Sequence, residues 1–167
     1  RQDIWSYNQD VPLTFMADDT LRPFLFGGTT LQTNRRFRDP AAWYHIVLVV
    51  DSTSATPSER IRMYINGERE LSFSSETYPS QNADANVWTA GTDLRLFRLI
   101  GGTNYFGGYA AEIHYLDGIA YDSSYFGEFD SNGIWIPKEY DGSYGTNGFY
   151  IDGRDSSDLD DDESGNN

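Results

Sequence analysis

Two extended runs joined by a short polar loop constrain this chain most. Trp43-Tyr-His-Ile-Val-Leu-Val-Val-Asp51 is followed, after a Ser/Thr/Pro-rich loop, by Arg60-Ile-Arg-Met-Tyr-Ile-Asn-Gly67. The second run sets Ile61, Met63 and Ile65 against Arg62 and Tyr64, the period-two pattern of a strand with one wet face. Asn66-Gly67 tolerates the positive φ angles that a two-residue hairpin demands, so residues 68–73 are expected to fold straight back antiparallel. The first run is almost unbroken apolar over residues 44–50 and reads as an inner strand buried on both faces. Both runs belong to an all-β domain.

Composition narrows the class further. At 167 residues the chain suits one domain with a substantial core. Twenty-six aromatic residues (4 Trp, 12 Tyr, 10 Phe) and 16 glycines favour strands and turns over helices. The net charge is -14 with a single lysine, Lys138. Phosphate binding needs clustered cations, so nucleic acid is excluded as a partner, and Arg35, Arg36 and Arg38 do not reverse this. No apolar run approaches the roughly 20 residues of a membrane span, so no membrane insertion is expected. With no cysteine, disulfides and thiolate metal sites are ruled out, and stability falls to the core, an oxygen-liganded ion or assembly. Both ends read as cut from something longer.

Along the chain, residues 4–26 suit two short strands with breaks at Asp18-Asp19 and Pro23, and residues 29–33 a third. Residues 74–92 are polar and read as a long loop carrying Asn86 and an isolated Trp88. Residues 94–100 and 109–116 read as further strands, with Tyr109, Ala111, Ile113 and Tyr115 on one face of the latter. A short apolar segment at 134–136 and a strand at 149–151 follow, separated by a Gly- and Tyr-rich surface segment. Residues 152–167 are acidic, with seven carboxylates against Arg154 alone up to Glu163. They form either a solvated tail leading to a further module or a cation site. The expected organisation is therefore a sandwich over residues 1–151 and a tail or linker over 152–167.

Three blocks carry a resemblance. Trp43-Tyr-His with Tyr64-Ile-Asn-Gly67, and then Phe106-Gly-Gly-Tyr-Ala-Ala-Glu-Ile-His-Tyr-Leu-Asp117, resemble the laminin-G-like branch of the concanavalin A-like lectin/glucanase proteins. The third block is Tyr125-Phe-Gly-Glu-Phe-Asp-Ser-Asn-Gly-Ile-Trp-Ile-Pro-Lys-Glu-Tyr140, continued by Tyr144-Gly-Thr-Asn-Gly-Phe-Tyr150. It is similar to wording in structural and tail-fibre proteins of marine phages. The resemblance covers residues 38–167 well and the first 37 weakly. It implies a two-sheet antiparallel jelly-roll sandwich and a non-catalytic virion module in a tail fibre, spike or capsid appendage. Such a module binds a host-surface glycan and packs with other virion subunits as a homo-oligomer. The alternatives it leaves are a purely structural assembly module and a glycoside hydrolase of the same fold.

Glu112, His114 and Asp117 resemble the Glu-x-Asp-x-x-Glu pattern of glycanases that share this fold. Retaining hydrolysis needs two carboxyl groups about 5–5.5 Å apart, one ionised and one protonated. Here histidine holds the middle position and Asp117-Gly118 reads as a turn, so the residues favour binding over turnover. His45, inside an apolar strand, reads as a hydrogen-bonded sheet histidine. Sugar binding needs exposed aromatic faces beside amides and carboxylates. Trp88, Tyr105, Tyr140 and Tyr144 lie in polar stretches beside Asn86, Asn104, Asp141 and Asn147, so Trp88, Asn104, Tyr105, Tyr140 and Tyr144 are the carbohydrate-binding candidates. Trp43 and Trp135 are expected in the core. Calcium takes six to eight hard oxygens and is the ion that Asp152, Asp155, Asp158 and Asp160 suit by composition, although the EF-hand glycine and closing glutamate are absent.

Overall fold

The computed structural model describes residues 1–7, 10–84, 94–98, 102 and 104–166. In chain order the elements are β1 (Gln2–Tyr7), β2 (Asp10–Phe15), β3 (Leu21–Arg22), β4 (Phe24–Leu25), β5 (Thr29–Thr33), β6 (Ile46–Val50), the single-turn helix α1 (Pro57–Arg60) and β7 (Ile61–Ile65). Then come β8 (Glu68–Arg69), β9 (Phe73–Thr77), β10 (Leu94–Leu96), β11 (Ile113–Tyr115), a 3-10 turn (Ser123–Tyr125), β12 (Gly127–Phe129), β13 (Trp135–Pro137) and β14 (Phe149–Ile151). Every strand pairing described is antiparallel. The fold is all-β. Two compact units divide it, Arg1–Gly107 and Gly108–Asn167.

The first unit holds three sheets, ordered β10-β1-β2-β3, β4-β5-β9 and β6-β7-β8. The turn at Asn66-Gly67 is as expected, with φ of 50° and 83° and Ile65 opposite Glu68, but the returning strand expected over 68–73 shortens to Glu68–Arg69, and Phe73 pairs with β5 instead. Asn66 also accepts the His45 backbone N–H on its side-chain oxygen at 2.8 Å, which pins the turn to the entry of β6. β7 is the spine of the core. Its inward residues Met63 and Ile65 pack with Leu21, Ile4, Leu13, Phe15 and Phe37, while Ile61 packs with Leu25, Leu31, Leu48 and Phe73. Each such side chain removed from water stabilises the fold by about 1.5–3 kcal/mol. Arg60 is buried where α1 meets β7, and its guanidinium donates to the carbonyls of Ser54, Ala55 and Pro79, so each of its three nitrogens has an acceptor.

Four further expectations are corrected. β6 is not buried on both faces: only Val49 is fully buried, and among the described residues β7 is its one partner, so the strand closes a sheet margin. Trp43 is 69% exposed, because it lies in the segment that precedes the start of β6 at Ile46. Residues 74–77, read as the start of a loop, belong to β9; its polar side chains face solvent while its backbone pairs with β5. The strand expected over 109–116 shrinks to β11, since Glu112 adopts φ of 55° and Tyr109 stands out in solvent.

The second unit is two small sheets, β11-β14 and β12-β13. Gly127 faces Trp135, and a Cβ there would come within 2.5 Å of the indole carbons. Trp135 is thus half-buried over its own hairpin, meeting Phe129 edge-on at 5.0 Å. The acidic segment is tied back to β14: Tyr150 N–H donates to Asp162 at 2.9 Å, Glu163 N–H donates to the Tyr150 carbonyl, and Asn166 donates to the Gly145 and Gly148 carbonyls.

Candidate functional site

The densest gathering of chemistry-bearing side chains in the second unit grows from one strand pair. β11 and β14 place His114 directly opposite Tyr150, and the two rings stack with centroids 4.4 Å apart and planes 6° from parallel. Aromatic pairs at such facing positions are a main source of sheet stabilisation. Tyr144 reaches the same imidazole by its hydroxyl, hydrogen-bonded to Nδ1 at 3.0 Å. Its ring lies within 9° of the Tyr150 plane. Burial pushes the Tyr144 phenol up to about 12 and raises that of Tyr150 well above its ordinary value, in the latter case reinforced by Glu112.

Glu112 closes one end of this row. The Tyr150 hydroxyl donates to its Oε2 at 2.6 Å, His114 Nε2 lies 4.0 Å from the same oxygen, and Arg154 lies 3.4 Å from Oε1. Arg154 also meets Asp152 at 3.3 Å, so one guanidinium spans two carboxylates. The left-handed backbone at Glu112 costs on the order of 1 kcal/mol or more in a non-glycine residue, and the Tyr150 and Arg154 contacts hold it there.

The other end is open. Asp122 caps the 3-10 turn by accepting from the Ser124 N–H and hydroxyl. That turn brings Tyr121 and Tyr125 face to face, with centroids 3.8 Å apart and planes 5° from parallel. They are 37% and 44% exposed. Tyr140 connects the two ends: it meets Tyr121 edge-on at 6.3 Å and Tyr144 edge-on at 5.2 Å, and its hydroxyl donates to the Ser143 carbonyl. Phe126 packs beneath Tyr140 and His114. The row thus joins an exposed aromatic pair at one end to a partly exposed carboxylate at the other.

The residues singled out in the sequence fare differently. Tyr140 and Tyr144 come together, but Tyr144 is only 7% exposed, so the free loop ring expected there is corrected: its hydroxyl is drawn inward by His114. Tyr105 is exposed in the first unit, with the Arg98 guanidinium 5.7 Å over its ring, and Asn104 beside it is half-buried. Trp88 and Asn86 lie outside the described residues. Asp152, Asp155 and Asp158 do not converge on a common point, and among the described residues no three His, Asp or Glu side chains do so as a metal site requires. Asp155 instead accepts from the Ser157 N–H and hydroxyl, and Asp158 is raised by its hydrogen bond with Asp160. Asp117 is occupied in closing a turn, accepting from the Asn147 N–H and side-chain amide at 3.2 and 2.7 Å. Sequence reasoning passed over Tyr121, Tyr125, Tyr150 and Arg154. Asp122-Ser-Ser-Tyr125 carries the capping signal of a helical turn, which would have placed Tyr121 and Tyr125 side by side.

A family model described as the concanavalin A-like lectin/glucanases superfamily matches residues 4–119. The chain belongs to this superfamily. Comparison with curated proteins and with solved structures finds no match. The superfamily match takes in Glu112, His114 and Asp117, whereas Tyr121, Tyr125, Tyr140, Tyr144 and Tyr150 lie beyond it. The tyrosines of the aromatic row thus lie outside the matched part.

Proposed function

We propose that the chain is a non-catalytic carbohydrate-binding module, a jelly-roll sandwich whose second unit presents the outer ring face of Tyr125, stacked on Tyr121, to the C–H face of a sugar. The observation that carries this reading is the exposed, parallel pair itself: two rings with 37% and 44% of their surface in solvent, braced from behind by Tyr140. Membership of the superfamily supports the ligand class. The likeness of residues 125–150 to marine-phage tail-fibre wording supports a place on a virion appendage, where many copies multiply a weak single-site affinity for a host-surface glycan. Binding without turnover is supported by the carboxylates. Glu112 is engaged by Tyr150 and Arg154, and Asp117 by Asn147, so both carboxylates of the glycanase-like pattern are committed to partners within the fold.

A glycan array probed with the wild-type chain and with Tyr125→Ala tests the reading. Hits for the wild type that fall at least tenfold in the variant support it; a wild type without hits, or a variant with unchanged hits, overturns it.

A second reading has its own observation. Phe129, Ile134 and Ile136 are exposed on the β12–β13 hairpin, as an apolar surface that packs in an assembly would be. A purely structural module predicts self-association that Ile134→Ser weakens in analytical ultracentrifugation.

A further inference from the structure

A cleft of about 220 Å³ opens on the first unit where the chain passes from β8 to β9, and none of its lining residues belongs to the aromatic row of the second unit. Phe73 supplies its accessible apolar wall, above Ile61 and Met63, which are buried and belong to the core. Leu71 stands at its lip, 75% exposed on the short link between the two strands. It gives the rim of the hollow one apolar contact.

The polar lining is organised in fixed pairs. Arg69 holds Glu59 by both guanidinium nitrogens, at 2.8 and 3.1 Å, and also donates to the Ser58 carbonyl. Arg62 lies 3.9 Å from the same carboxylate. Glu70 is paired with Arg35 at 2.9 Å, and the Tyr78 hydroxyl donates to Glu76 at 2.6 Å. An ionic ligand would have to displace one of these partners. A hydroxyl is both donor and acceptor, so two adjacent hydroxyls can take an N–H from a guanidinium and give an O–H to the neighbouring carboxylate without breaking the pair. The volume lies below the roughly 300–1,000 Å³ of drug-sized sites, which limits the occupant to one ring.

From these observations we infer that the cleft is a second saccharide subsite, which takes one uncharged sugar ring by a vicinal diol against the Arg69–Glu59 pair and by a C–H face against Leu71 and Phe73. The inference rests on the carbohydrate reading above but not on the aromatic row. Two subsites on one chain would bind a branched or extended glycan with the gain of an intramolecular second contact.

The test is a ¹H–¹⁵N NMR titration of the whole chain with the methyl glycosides of glucose, galactose, mannose and N-acetylglucosamine. The Arg62 and Arg69 Nε–H and the amides of residues 71–73 report the cleft, and the amides of residues 121–125 report the row. Saturable shifts at the cleft with at least one sugar are expected. They should weaken at least tenfold in Leu71→Asp, whose exposed position leaves the fold intact, and in Glu59→Gln, which removes the carboxylate that accepts the diol, and persist in Tyr125→Ala. Shifts at the row with a silent cleft overturn the inference and leave the proposed function standing. Shifts at the cleft with a silent row support the inference and remove the tyrosine pair from the reading. Silence at both overturns both.

Discussion

Tyr150 donates its hydroxyl to Glu112 across 2.6 Å, and Glu112 receives it from a left-handed backbone with φ of 55°. Glu112→Gln keeps the shape and removes the charge. Tyr150 is raised first by burial and then by this carboxylate, so its titration should move down towards the ordinary phenol range in the variant. A hydrogen bond to a charged group contributes about 1.5–3 kcal/mol, and with Glu112 partly exposed a loss near the lower figure is expected in chemical denaturation. Ultraviolet titration of the phenols checks the first outcome, and an unmoved Tyr150 would sink it. No gain or loss of glucan cleavage should accompany the change, because the wild type is expected to release no reducing sugar.

Alkali should loosen the second unit. Tyr144 is pushed up to about 12 in the folded chain against an ordinary value of 10.0, and Tyr115, Tyr140 and Tyr150 are raised as well, in every case by burial first. A raised acid binds its proton more tightly when folded, so its contribution is complete below pH 10.0 and disappears as pH climbs through the folded value. Denaturation midpoints followed by circular dichroism should hold up to about pH 10 and decline steadily towards pH 12, and Tyr144→Phe should flatten part of that decline.

Acid acts on the first unit through His45. Burial lowers it from 6.5, so the unfolded chain takes up the proton first as pH falls. The stability it confers is complete above pH 6.5 and drains away as pH drops through the lowered value. Replacement by Gln, which does not titrate, should reduce the slope of stability against pH just below 6.5; equal slopes in both proteins would contradict the assignment.

The hairpin depends on Asn66. Alanine at φ of 50° is strained by roughly 1–2 kcal/mol and forfeits the side-chain acceptor for the His45 N–H. Glycine relieves the strain and loses only that bond. Urea unfolding should therefore rank wild type above Asn66→Gly above Asn66→Ala.

Burial separates two apolar residues that lie close in sequence. Met63→Ala empties a fully buried site at the centre of β7 and should cost about 2–5 kcal/mol, whereas Leu71→Ala at an exposed lip should stay within about 0.5 kcal/mol of wild type.

How much of this could be read from the sequence follows from how local each cause is. The Asn66-Gly67 turn, the alternation of β7, the five residues of β5 and the three of β14 all declare themselves within a few positions, and the structure places them there. β9 did not, since Ser74, Ser75 and Glu76 have poor strand propensity and are extended only because β5 offers them a ladder. Trp43 misled because a large aromatic next to an apolar run looks like core, whereas β6 begins only at Ile46 and Trp43 lies in the exposed segment before it. The aromatic row was legible in composition but not in arrangement. Tyr121, Tyr140 and Tyr150 are brought together by the pairing of β11 with β14 and by the capped turn, which no window of the sequence spans.

His114 lies under one phenol and is gripped at its rim by another, while a carboxylate faces its far nitrogen. An imidazole so held cannot revolve without prising the two tyrosines from their seats, so its two edges keep distinct neighbours for as long as the unit stays folded. That fixity propagates outward through Tyr140 and sets the tilt at which Tyr121 and Tyr125 meet the solvent. The exposed pair and the half-buried histidine are thus ends of one unbroken chain of ring contacts, so a change at either is felt along it.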